Sequence, residues 1–144
     1  MTIKAQPKTI FEDLLEQVHG ALGGRNTNEF QLKLWDRDAD KLMHVAQGDG
    51  LEIKAYLAAI RGRDEDCDRH YSAALRATND YTGAAIRYLT LLAQRLRQEK
   101  LLGVYRDVSA AFKGDPQATR FVEGLLAAEG FVVSAQKLSE ELSK

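Results

Sequence analysis

The sequence predicts an all-α fold, and three observations carry that prediction. Apolar residues recur at spacings of three and four along most of the chain. Ala and Leu dominate over clusters of β-branched residues. Only two prolines interrupt the 144 residues, while Gly, Asn and Asp fall at regular intervals suited to caps and turns. A chain of this length buries about two-thirds of its unfolded surface, so it needs no metal or disulfide to hold a core. Apolar residues make up 44% and charged residues 28%, which argues against wholesale disorder. The net charge of −1 excludes general attraction to nucleic acid. The single cysteine excludes a disulfide framework and a multi-cysteine zinc site.

Residues 1–8 read as a flexible polar tail. Thr9 then opens a helix with Glu12 at the capping-box position, and Phe11, Leu14, Leu15, Val18 and Leu22 form its apolar face. Gly23 and Gly24 end it. Asn26, Thr27 and Asn28 offer caps for a second helix carrying Phe30, Leu34, Trp35, Leu42 and Val45. The polar run from Asp36 to Lys41 is expected to bend or split that helix, and Gly48, Asp49 and Gly50 to break it.

Asp49 with Glu52 reads as the cap of a third helix. Its residues Leu51, Ile53 and Ala55–Ile60 are apolar nearly all round, the mark of a central, buried element. After Gly62, Asp64 or Asp66 caps a fourth helix with Cys67, His70, Tyr71, Ala74 and Leu75 on one face. Asp80 or Thr82 starts a fifth, with Ala85, Ile86, Tyr88, Leu89, Leu92 and Leu96 inside. A weak break at Gln98–Lys100 precedes a sixth, with Leu101, Val104, Tyr105, Val108 and Phe112, ended by Gly114. Asp115-Pro116 restarts the chain, since aspartate caps well and proline suits the first helical position. A seventh helix runs to Gly130, and an eighth carries Val132, Ala135, Leu138 and Leu142.

A shift of 34 residues brings several positions into register. Cys67, Leu101 and Ala135 align, as do Tyr71 with Tyr105, Ala74 with Val108 and Leu142, and Ala58 with Leu92 and Leu126. A helix–turn–helix unit of this period resembles the tetratricopeptide repeat family. Cys67, Tyr71 and Ala74 match the family's small–aromatic–alanine pattern in the second helix of residues 48–81. Leu101, Tyr105 and Val108 match it loosely. The family's early aromatic is replaced by Leu51, Ala85 and Thr119, and its closing proline is absent at Asn79 and Lys113. The resemblance implies one domain over 9–144: a divergent N-terminal helix pair at 9–47, then three repeat-like pairs over 48–144. It also implies antiparallel hairpins stacked in a right-handed array, because one hairpin cannot bury its apolar faces alone.

Few constellations suggest chemistry. Asp36, Asp38 and Asp40 imitate the start of a calcium loop, but its sixth and twelfth positions hold Lys41 and Gln47, so the run reads as a solvated helix face. Cys67 and His70 share one side of a helix, yet two ligands do not make a zinc site, and Cys67 occupies a packing position. No phosphate-cradling glycine loop and no catalytic triad can be drawn. No metal or cofactor is expected, and no enzymatic activity.

Arginine concentrates between residues 61 and 106, giving a local excess of three positive charges that paired acids such as Asp64 with Arg61 and Asp66 with Arg69 would partly cover. In the repeat family the first helix of each pair lines a concave groove. The resemblance places Tyr56, Arg87, Thr90, Gln94, Arg97 and Arg120 there, unless the N-terminal pair fills the groove with Phe30 and Trp35. It implies a protein–protein interaction module, an adaptor or chaperone-like protein, holding a partner protein or peptide of acidic character. An antitoxin or immunity-type inhibitor is the alternative; a small helical enzyme or a nucleic-acid binder follows behind. No apolar run reaches the ~18 residues of a membrane span. Met1–Lys8 carries no apolar signal core, so the expected location is cytoplasmic.

Overall fold

The computed structural model describes residues 7–24 and 27–128, and among them every regular element is helical. The expected eighth helix and the end of the seventh near Gly130 lie outside the described residues. The chain divides into two compact units, Met1–Asn79 and Asp80–Lys144, each with its own core.

The first unit holds α1 (Pro7–Leu22), α2 (Glu29–Val45), α3 (Gln47–Ile60) and α4 (Asp64–Ala77). Pro7 takes the first position of α1, where its missing N–H costs nothing, so Thr9 lies inside the helix and the Thr9–Glu12 capping box does not form. Asn28 caps α2 by accepting the Gln31 N–H at 2.9 Å. The polar run 36–41 does not split α2, which continues from Glu29 to Val45, and two of its acids, Asp36 and Asp40, have partners on the next helix.

Nor do Gly48, Asp49 and Gly50 break the chain. They lie within α3, and the junction with α2 is the single residue Ala46, whose N–H closes α2 on the Leu42 carbonyl at 2.7 Å. The glycines serve packing. A Cβ on Gly50 would lie 2.7 Å from the Met43 backbone nitrogen and 2.8 Å from the Ala39 carbonyl oxygen. A Cβ on Gly48 would lie 2.6 Å from the Thr78 Cα at the end of α4. Bare backbone there lets α2 and α4 close on the start of α3.

Helix α3 pairs antiparallel with both α2 and α4. Gly50 meets Met43, Lys54 meets Asp40 and Arg61 meets Glu29 as α3 advances and α2 recedes. Gly48 meets Thr78 and Glu52 meets Tyr71 in the same sense along α4. The central position expected for α3 is realised: ten of its residues are buried. Neither Asp64 nor Asp66 caps α4. Both lie in its first turn, where negative charge opposes the positive helix end.

The second unit holds α5 (Tyr81–Gln94), α6 (Gln98–Val108), a 3-10 turn (Ser109–Phe112) and α7 (Pro116–Ala128). Asp80 caps α5 through the Gly83 N–H at 3.1 Å, and Asp115 accepts the Ala118 N–H at 3.1 Å before α7. The core is Ala85, Tyr88, Leu89 and Leu92 of α5 with Leu101, Tyr105, Phe112, Val122 and Leu126.

Backbone geometry repeats at the 34-residue shift. The helices α3 and α5 both span 14 residues and start 34 apart. The turn after α3 is closed by Gly62 N–H to Ala59 O at 3.0 Å and Arg63 N–H to Ala58 O at 2.8 Å. The turn after α5 is closed by Leu96 N–H to Ala93 O at 3.0 Å and Arg97 N–H to Leu92 O at 3.0 Å. Both turns need a left-handed residue: Gly62 at φ 77° and Leu96 at φ 57°. The second helices differ, since α4 is regular to Ala77 while α6 tightens into the 3-10 turn.

Candidate functional site

The inner-face residues expected from the repeat pattern fall in different settings. Tyr56 is only 1% exposed and cannot meet a partner as an open groove residue. It is covered by α1, which packs along α3 and sets the His19 ring 4.7 Å from the Tyr56 ring. The expected alternative was a groove filled by Phe30 and Trp35. Phe30 is instead 71% exposed, and Trp35 is buried with its indole N–H donated to Gln17 Oε1 of α1 at 2.7 Å. Helix α1, through Phe11, Leu14, Val18 and His19, is what lies on α3.

In the second unit, Arg87 and Thr90 are half-buried and Gln94 exposed on α5, Arg97 is half-buried just after it, and Arg120 is exposed on α7. Thr90 donates its hydroxyl to the Ile86 carbonyl at 2.8 Å, an intrahelical bond. These α5 residues follow one another at helical spacing and reach the surface together.

Under α1 lies a polar cluster around Glu52, which the sequence reading took with Asp49 for the cap of α3, although α3 already begins at Gln47. Glu52 is fully buried within α3 and accepts the Tyr71 hydroxyl at 2.8 Å. Tyr56 stands one turn further along α3, its ring edge-on to Tyr71 at 5.8 Å. Burial, with Tyr56 and Glu52 beside it, pushes the Tyr71 phenol well above its usual value, so it stays a hydrogen-bond donor. The signal was present: Glu52 is the one acid among the mainly apolar residues Leu51–Ile60 of α3.

The α2 carboxylates build a second polar feature. Asp36 bridges two cations of α3, Lys54 at 3.3 Å and the Arg61 guanidinium at 2.9 Å. Asp40 adds a 2.8 Å pair to Lys54, and Glu29 a 3.2 Å pair to Arg61. Arg61 is thus engaged by α2 and not by Asp64, whereas the expected Asp66–Arg69 pair forms. The run read as a solvated face is in part a seam between two helices. Beside it opens a cleft of about 520 Å³ lined by Asp36, Asp40, Lys54 and Arg61 with Arg63, Asp66, His70 and the apolar Met43, Leu51 and Ala58. Burial and the neighbouring Arg69 hold His70 below the usual imidazole range, so it is neutral at pH 7. Three cations face three carboxylates here, and the half-buried Lys54 and Arg61 already have internal partners, so the cleft offers little net field to a charged ligand.

Cys67 is buried at 2% exposure, a packing residue away from His70's cleft role. Among the described residues no group of three or more His, Cys, Asp or Glu could hold a metal ion. No helix among them is long and apolar enough to cross a membrane. Comparison with protein-family models, curated proteins and solved structures found no match.

Proposed function

We propose that this chain is a polypeptide-binding module, an adaptor or chaperone-like protein of the cytoplasm, built on tetratricopeptide-like hairpins. The observation that carries the reading is the 34-residue recurrence of helix bounds and turn hydrogen bonds between α3–α4 and α5–α6. The partner-binding face is assigned to Arg87, Thr90 and Gln94 of α5, with Arg97 and Arg120. Arginine supplies planar donors that fork onto carboxylates, so an acidic segment suits it. Apolar contacts would provide affinity and the guanidinium groups selectivity.

The test compares immobilised wild-type and Arg87→Glu chains in the same native lysate, with quantitative identification of what each retains. A polypeptide held by the wild type and lost from Arg87→Glu, with an unchanged thermal melt, is the expected result. Equal recovery on both chains refutes the reading. Retention of nucleic acid that falls steeply with added salt refutes it as well.

A further inference from the structure

We draw no further inference here: the strongest candidate, the cleft lined by α2, α3 and α4, has Lys54 and Arg61 already held by Asp36, Asp40 and Glu29, and nothing in the structure shows what ligand would occupy it.

Discussion

The same chemical change, glycine to alanine, should have opposite signs at different places in this protein. In an exposed helix interior the change stabilises by about 0.8–1.0 kcal/mol, because alanine loses less backbone entropy. Gly103 in α6 and Gly124 in α7 are exposed, and a Cβ at either meets nothing within 4 Å. Each should gain about 1 kcal/mol on substitution by alanine, or roughly 3 °C in melting temperature for a chain of this size. Gly50 is also helical and carries the same intrinsic gain. Its Cβ, however, would press on the Met43 nitrogen and the Ala39 oxygen, both backbone atoms of α2. Overpacking of that kind costs about 1–3 kcal/mol, and here the obstacle cannot rotate away. Gly50→Ala should therefore lose up to about 2 kcal/mol net, and Gly48→Ala, facing the Thr78 backbone, a similar amount. Urea denaturation followed by far-UV circular dichroism measures all four. A Gly50→Ala chain that gains about 1 kcal/mol, as Gly103→Ala should, would refute the claim that α2 and α3 meet backbone to backbone.

Four further outcomes follow from the polar groups. Tyr71→Phe removes a hydroxyl that donates to the buried Glu52 and should cost about 1.5–3 kcal/mol in urea, whereas Tyr105→Phe at the corresponding position should change stability by less than about 0.5 kcal/mol. Asp36→Ala removes the carboxylate shared by Lys54 and Arg61 and should cost about 1 kcal/mol, a difference that narrows in high salt. The Tyr71 phenol is raised in the folded chain, so the unfolded chain ionises it first. Its contribution is present below pH 10 and is lost as pH climbs above that, visible as a late, unfolding-linked step in tyrosinate absorbance. His70 is depressed in the folded chain, so protonation favours unfolding. Stability is lost as pH falls below 6.5, and a His70→Gln chain should show a shallower acid limb in melts between pH 7 and 5.

Apolar periodicity made the helices legible, and local cap chemistry located several of their ends. Asn28, Asp80 and Asp115 cap as their residue types require. Errors arose where a residue's role depends on a distant element. Gly48 and Gly50 look like breakers until α2 and α4 are in place to need their missing side chains. The acids of α2 look solvated until Lys54 and Arg61 arrive from α3. Tyr56 was expected on an open inner face, and nothing local in α3 announces that α1 will cover it. Helical spacing did bring Arg87, Thr90 and Gln94 to one surface, since that placement needs only the pitch of α5.

The single-residue connection at Ala46 has a practical corollary. With one peptide unit closing α2 and the next opening α3, that corner contains no spare chain to absorb an inserted tag, a protease's extended substrate conformation or a shift in register. Helices α2 and α3 are consequently joined like two arms of a rigid bracket, and any distortion imposed on one is handed to the other undiminished.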